Sequence, residues 1–196
     1  MTIPELYDQL CDKDFQDPYT GNLFFPAYMY MYDAEKEYEI DQEILSIKDR
    51  LYRPSNYLDI MVIDIFEEFT NYLKLTKFGK STKFDYYIEN ESAKPQAIED
   101  IIKRDAYDSR FLLYLNDKIQ NHLSNATEYD VAYVFIKGYG NAFPYIRASR
   151  FMNNFEQYIK GFKLIIFYPG KAKEYYSLFG LLKDENLYRA IKLINN

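Results

Sequence analysis

The clearest pattern in the chain is a pair of short apolar runs separated by one amphipathic stretch. The runs are Val131–Ile136 and Lys163–Tyr168, and apolar residues recur between them at helical spacing from about Pro144 to Ile159. Runs of this length that are apolar throughout are typical of strands buried inside a parallel sheet. The pattern therefore predicts a strand–helix–strand unit with two parallel strands.

The first half of the chain repeats this alternation of strand and helix. Phe24–Tyr32 and Leu58–Ile63 are predicted as two further strands, and the helices that follow them are predicted over 34–53 and 65–75. In the first of these helices, Ile40, Ile44, Ile47 and Leu51 recur at helical spacing and predict one apolar face. Proline, asparagine and aspartate residues separate these elements, as turn-forming residues do. Segment 77–125 has no strand signal, and Pro95–Arg104 and Ser109–Leu123 within it have helical spacing. The segment is therefore predicted as a helical insertion.

Together these elements predict an α/β fold, in which a mostly parallel four-stranded sheet carries helices on both faces. The helical insertion falls between the second and third strands. Right-handed crossovers would give the strand order 2-1-3-4. We expect residues 1–196 to form one domain, and we expect Asn186–Ile194 to close it as a helix.

Residues with special backbone or charge properties follow the predicted strands at their carboxyl ends, the edge where open α/β sheets usually bind ligands. With the strand order 2-1-3-4, Asp33 after the first strand lies beside the loop Gly138–Pro144 after the third. Gly138 and Gly140 allow backbone angles that are closed to other residues. Pro144 suits the first turn of a helix, where its missing N–H costs nothing.

Two arginines, Arg147 and Arg150, follow on one face of that predicted helix. Arg147 would lie in the first turn, where the helix dipole disfavours a cation by about 0.3–1 kcal/mol. A carboxylate such as Asp33, a bound anion or a partner protein would offset this cost. For Asp33 and Asp64 the simpler interpretation is helix capping, since each comes directly before a predicted helix.

Composition limits the possible functions. The net charge is −6 at pH 7, and the single cysteine leaves no internal disulfide framework and no cysteine zinc cluster. Residues 1–100 carry 10 Lys and Arg against 21 Asp and Glu, whereas residues 101–196 carry 14 against 9. This balance lacks the dense basic stripe of a DNA-binding domain, so we expect no direct DNA binding. No apolar run reaches the roughly 18 residues of a membrane span, and the expected location is the cytoplasm.

The common catalytic motifs are missing or incomplete. Gly79-Lys80-Ser81 resembles the end of a phosphate-binding loop, but Lys74 stands where that motif needs a glycine. His122 is the only histidine, and it has no second histidine one helical turn away to form a metal site. The sequence therefore predicts no catalytic residue, no metal and no cofactor.

The second half of the chain carries motifs that resemble those of a known family. They lie in the stretches VFIKGYGNAFPYIRASRFMNN, KLIIFYPG and YSLFGLLKDENLYRAIKLI. The residues that match the family pattern are Gly138, Gly140, Phe143, Pro144, Arg147, Asn153, Phe167, Pro169, Gly170, Leu178, Phe179, Gly180, Asp184, Asn186, Tyr188, Arg189 and Ala190. This pattern is similar to that of the BrxB family, small cytoplasmic proteins encoded in the BREX (bacteriophage exclusion) loci of bacteria.

The resemblance implies a role in a complex that blocks phage replication. It also implies a partner, the PglZ-type alkaline-phosphatase-like protein of the same system, with other BREX subunits as further candidates. Because family members lack a recognised catalytic motif, the expected function is that of a non-enzymatic adaptor. The alternative is a nucleotide- or anion-binding enzyme that uses the crevice between strands 1 and 3.

We expect Pro169-Gly170 to end the fourth strand at the same sheet edge as Gly138, and Asn186–Arg189 to return to that edge. The candidate residues for binding a partner or an anion are accordingly Asp33, Gly138, Gly140, Asn141, Pro144, Arg147, Arg150, Pro169, Gly170, Asn186 and Arg189.

Overall fold

The computed structural model describes residues 1–17, 26–53, 56–125, 133–172, 176–178, 182–183 and 191–192. Its α-helices are α1 (Ile3–Cys11), α2 (Lys13–Gln16), α3 (Glu37–Tyr52), α4 (Ile65–Leu75), α5 (Lys83–Glu91), α6 (Pro95–Asp105), α7 (Ser109–Asn125), α8 (Tyr139–Ala142) and α9 (Ala148–Phe155). Its strands are β1 (Ala27–Tyr32), β2 (Met61–Asp64), β3 (Lys77–Phe78), β4 (Ser81–Thr82), β5 (Tyr133–Lys137), β6 (Lys163–Ala172), β7 (Tyr176–Leu178), β8 (Leu182–Lys183) and β9 (Ile191–Lys192).

A parallel sheet of four main strands forms the centre of the fold, as predicted. The strands lie in the order β2-β5-β6-β1, and the short β9 adds to the outer side of β1. One row of paired residues crosses all four main strands: Met61, Val134, Leu164 and Ala27. The predicted α/β class with a parallel sheet is confirmed.

The predicted strand order 2-1-3-4 is wrong, because in chain order the strands lie 2-3-4-1. The fourth strand, β6, pairs with β5 on one side and with β1 on the other. Its residues Leu164–Tyr168 are completely buried. An apolar run of this kind belongs in the interior of a parallel sheet, whereas the predicted order had placed it at an edge.

Helices cover both faces of the sheet, as predicted, and β1 shows why. Its sequence AYMYMY alternates, so that Met29 and Met31 point to one side (the methionine face) and Tyr28, Tyr30 and Tyr32 to the other (the tyrosine face). Helices α1 and α3 pack on the tyrosine face. The apolar residues of α3 that are buried there are the predicted ones: Ile40, Ile44, Ile47 and Leu51.

The segment 77–125 packs on the methionine face together with α4, α8 and α9. Helices α6 and α7 were predicted, whereas α5 and the β3–β4 hairpin were not. The hairpin pairs Lys77 with Thr82, and Gly79 in its turn has a φ of +62°. Antiparallel pairing here agrees with the exclusion of a phosphate-binding loop, which would follow a parallel strand.

The predicted helix 144–159 is shorter and later than expected. The one-turn helix α8 follows β5 at once, because Gly138 has a φ of +84° and redirects the chain. A turn with a cis Phe143–Pro144 peptide comes next, so Pro144 is not in the first turn of a helix. Helix α9 starts only after Arg147, which is extended.

The carboxyl-terminal part of the fold also differs from the prediction. Strand β6 does not end at Pro169-Gly170 but continues to Ala172, because its last residues pair with the antiparallel strand β7. Ile191–Lys192 is a strand parallel to β1 and not part of a closing helix. Asn186 and Arg189 lie outside the described residues. In the described ranges, no helix is both long and apolar enough to cross a membrane.

Candidate functional site

The sequence predicted that Asp33 and the Gly138–Pro144 loop follow neighbouring strands. In the structure their strands are not neighbours. Asp33 follows β1 and Gly138 follows β5, and β6 lies between these two strands. The neighbour of Gly138 is instead Asp64, at the end of β2. A Cβ atom at position 138 would collide with the Asp64 carboxylate. Glycine is therefore required at Gly138 both for its backbone angle and for space.

Asp64 has the capping role that the sequence indicated. Its Oδ1 accepts hydrogen bonds from the backbone N–H groups of Phe66 (3.0 Å) and Glu67 (3.2 Å), in the first turn of α4. Asp33 also comes before a helical turn, but its side chain makes no capping hydrogen bond. The capping interpretation is thus confirmed for Asp64 and wrong for Asp33.

Asp64 belongs to a group of charged side chains at the carboxyl ends of the strands, which we call the carboxylate cluster: Glu37, Asp41, Asp64 and Lys137. The Lys137 ammonium lies 2.8 Å from Oδ1 of Asp41 and 3.7 Å from Oδ2 of Asp64. Tyr32 donates its phenolic hydrogen to Oε2 of Glu37 over 2.7 Å. The charged groups of this cluster therefore have ion-pair or hydrogen-bond partners inside the fold.

Burial within the cluster affects the ionisation of Glu37. The loss of solvent raises the pKa of the Glu37 carboxyl above its usual range, and the nearby Asp41 and Asp64 act in the same direction. The hydrogen bond from Tyr32 and the charge of Lys137 oppose this effect. Among the described residues, no group of three or more Asp, Glu, His or Cys side chains has an arrangement that could hold a metal ion.

A second group of residues surrounds a cleft between the α6–α7 junction and the start of α9. The cleft has a volume of about 160 Å³, and its lining residues, which we call the basic cleft, are Lys103, Tyr107, Pro144, Tyr145, Arg147 and Arg150. Both arginines are exposed to solvent. The sequence identified Pro144 and the two arginines as candidates, and the structure brings these three together.

Tyr107 fixes the geometry of the basic cleft. Its hydroxyl oxygen accepts a hydrogen bond from the backbone N–H of Arg147 over 2.8 Å. The Arg150 guanidinium carbon lies 4.0 Å from the centre of the Tyr107 ring, a cation–π contact that holds Arg150 against Tyr107. Sequence reasoning missed Tyr107, and its signal is weak because it lies 40 positions before Arg147 in the chain.

The cations of the basic cleft differ in how far they are neutralised. Lys103 forms an i,i+4 ion pair with Glu99 on α6 at 2.5 Å. In the described part of the chain, the guanidinium groups of Arg147 and Arg150 form no ion pair. Arg147 occupies the N-cap position of α9 without a side-chain cap. The sequence left three ways to offset its charge: a carboxylate such as Asp33, a bound anion or a partner protein. Among the described residues, no carboxylate forms an ion pair with Arg147.

A buried ion pair holds α6 in place beneath the cleft. The Lys83 ammonium lies 2.7 Å from Oδ2 of Asp105, and their side chains are only 10% and 5% exposed. Tyr87 donates a short hydrogen bond to the same carboxylate oxygen. Burial and this hydrogen bond raise the pKa of the Tyr87 hydroxyl, so the hydroxyl remains a donor. Because Asp105 lies between Lys103 and Tyr107 in the chain, this network anchors two of the cleft residues.

The remaining candidates are not part of either group. Gly140 and Asn141 lie in α8, where Asn141 is exposed. Pro169 and Gly170 are buried inside β6, so they are not available to a ligand as the prediction required. Outside the candidate set, Nε2 of His122 lies 3.3 Å from Oδ2 of Asp59, which links α7 to the residues before β2.

The chain matches one known protein family over most of its length. The family model described as BREX protein BrxB matches residues 60–193, which is well over half of the chain. A relative from Bacillus cereus (strain H3081.97), named BREX protein BrxB, is 26% identical over 98% of this chain and 96% of its own length. No solved structure matches the chain. The chain belongs to the BrxB family of BREX proteins.

Proposed function

We propose that this protein is a non-enzymatic component of a BREX phage-defence complex and that it acts in the cytoplasm as an adaptor. Membership of the BrxB family supports a place in such a system. The adaptor role rests on one observation: charged groups of the carboxylate cluster have partners inside the fold, but the two arginines of the basic cleft do not form ion pairs with the described residues. The carboxylates at the sheet edge are engaged within the fold, whereas Arg147 and Arg150 are exposed and form no ion pair with the described residues.

The partner in this proposal is the PglZ-type protein of the same system, and the contact is made through the basic cleft. Arginine and tyrosine are the side chains that most often dominate binding energy at protein interfaces. The cleft combines two exposed arginines with two tyrosines on packed elements of the fold. Arg150, whose side chain already contacts Tyr107, loses less side-chain freedom on binding than an unrestrained arginine, which favours affinity.

The alternative, an enzyme that binds nucleotides or anions between strands 1 and 3, has less support. Strand β6 separates the two strands, so Asp33 and Gly138 do not follow neighbouring strands, as the expected crevice required. The carboxylate that does lie next to Gly138 is that of Asp64, and it already accepts hydrogen bonds from the backbone of the first turn of α4. Binding or hydrolysis of a nucleotide in the presence of Mg²⁺, abolished by Asp64→Ala, would favour the enzyme instead.

The test of the proposal is co-purification with the tagged PglZ-type protein. The double variant Arg147→Glu/Arg150→Glu should lose the partner while it keeps the thermal melting point of the wild type. Lys77→Glu/Lys80→Glu is the matched control, because it reverses two exposed charges on the hairpin away from the cleft. If both double variants retain the partner, the basic cleft is not its contact site. If the wild type itself does not co-purify with the PglZ-type protein, the proposed partner is wrong.

A further inference from the structure

We infer that the basic cleft receives one glutamate or aspartate side chain from an acidic segment of the partner protein. This inference rests on the proposed function, because it names the chemistry of the group that enters the same site. Three properties of the cleft lead to it: its volume, its two exposed guanidinium groups and the nature of its walls.

The volume of the cleft restricts its occupant to something small. At about 160 Å³ it is well below the roughly 300–1,000 Å³ of sites that enclose nucleotides or other small molecules. There is room for one side chain or one anionic group. A whole nucleotide would leave most of its surface outside.

The charged groups of the cleft select a planar anion. The Arg150 guanidinium carbon lies 4.0 Å from the centre of the Tyr107 ring, and Arg150 is exposed and forms no ion pair with the described residues. A guanidinium presents its N–H donors in a rigid planar fork. Arg147 lines the same cleft. A carboxylate matches the fork of a guanidinium through two parallel hydrogen bonds, the strongest type of charged contact between side chains.

The walls of the cleft suit an anion that is carried on an apolar stem. Pro144, Tyr145 and the ring of Tyr107 contribute apolar surface beside the cations. The methylene groups of glutamate or aspartate can pack against such surface while the carboxylate reaches the guanidinium groups. An inorganic anion would leave these walls unused.

Glu99 already acts as an internal carboxylate at the rim of the cleft. Its pairing with Lys103 neutralises one of the three cations. An entering carboxylate therefore competes with Glu99 for Lys103. Removing the charge of Glu99 should strengthen binding by about twofold, the typical value of an exposed i,i+4 pair.

Charge argues against nucleic acid as the occupant. Proteins that bind DNA through its backbone commonly contact about 6–10 phosphates. The basic cleft offers three cations, of which one is paired, on a chain with a net charge of −6. A single carboxylate needs no more than the cleft provides.

The experiment is an NMR titration of the isotope-labelled full chain, observed at the arginine Nε–H signals. The probe is a short glutamate-rich peptide, and the comparison probes are the glutamine equivalent, inorganic phosphate and a single-stranded oligonucleotide. We expect the glutamate peptide alone to shift the Arg147 and Arg150 signals in a saturable way. Glu99→Gln should tighten this binding by about twofold, and Arg150→Lys, which keeps the charge but loses the fork, should weaken it by about tenfold.

The inference is overturned if the glutamine peptide, phosphate or the oligonucleotide shifts these signals at equal or lower concentration, or if no probe shifts them. The outcome is separate from that of the partner test. Saturable binding of the glutamate peptide without co-purification of the PglZ-type protein would keep the carboxylate site and reject that partner. Co-purification that survives Arg150→Lys and Arg147→Glu would keep the partner and reject the carboxylate site.

Discussion

The carboxylate cluster and the basic cleft are both rich in charge, but they use it in opposite ways. In the cluster, Asp64 caps α4 and shares Lys137 with Asp41, so each of these charges supports the packing of helices on the sheet. In the cleft, Arg147 is held through its backbone N–H and Arg150 through its contact with the Tyr107 ring. Both arginine side chains stay exposed. The difference separates charges that maintain the fold from charges that are available to a partner.

The largest effect is expected where the cleft is anchored to the fold. Asp105→Asn removes the partner of Lys83 and leaves an uncompensated buried ammonium, which costs about 3–5 kcal/mol in the free energy of unfolding. Asp100→Asn is the control, because Asp100 is exposed on the same helix and surface substitutions usually stay within about 0.5 kcal/mol. Urea denaturation measures both. Equal losses in the two variants would show that the buried pair does not support α6.

A somewhat smaller effect is expected at the carboxylate cluster from Gly138→Ala. The positive φ alone costs about 1–2 kcal/mol for a residue with a Cβ, and the collision with Asp64 adds about 1–3 kcal/mol of overpacking. Gly161→Ala is the matched control, since Gly161 also has a positive φ, of +79°, but its Cβ would meet nothing within 4 Å.

The difference between the two glycine variants isolates the contact with Asp64. Thermal melting should show a larger loss for Gly138→Ala than for Gly161→Ala. The same loss in both would mean that the close approach of Gly138 to Asp64 is unimportant for stability.

The smallest effect is expected on the pH dependence of stability, through Glu37. Because burial raises the pKa of this carboxyl in the folded state, the folded protein binds more protons than the unfolded chain. Stability from this group therefore falls as the pH rises above the usual value of 4.5. Glu37→Gln removes the titration and keeps an oxygen that can accept the hydrogen bond from Tyr32.

Calorimetric melting between about pH 5 and pH 8 tests this prediction. The melting temperature of Glu37→Gln should decline less over this range than that of the wild type. A steeper decline in the variant would contradict the assigned direction of the pKa shift.

The sequence was sufficient for those parts of the fold that depend on local periodicity. The apolar run Phe24–Tyr32 predicted a strand, and the structure has one over Ala27–Tyr32 that is buried at every position. The spacing of Ile40, Ile44, Ile47 and Leu51 predicted one apolar helix face, and these four residues are buried. The order of the strands depends instead on pairing between distant segments, which periodicity does not encode. The uninterrupted apolar run Leu164–Tyr168 was the available sequence signal that β6 lies inside the sheet.

The candidate site was predictable only in the segment that carries its motif. Pro144, Arg147 and Arg150 lie together in the chain and in the structure. Lys103 and Tyr107 come from the predicted helical insertion, and only the packing of α6 beside α9 brings them into the cleft. Tyr145 could also have been predicted from the sequence, because it directly follows Pro144.

Quantitative binding of the purified PglZ-type protein, measured together with thermal stability, tests the central claim most directly. Asp64→Ala should lower stability by about 0.5–2 kcal/mol through loss of the α4 cap, and it should leave the dissociation constant unchanged. Arg147→Glu/Arg150→Glu should do the reverse, with unchanged melting and a dissociation constant raised at least about thirtyfold, as for two interface residues that each contribute over 1 kcal/mol. The account is contradicted if the cleft variant binds as tightly as the wild type, or if Asp64→Ala abolishes binding while the protein remains folded.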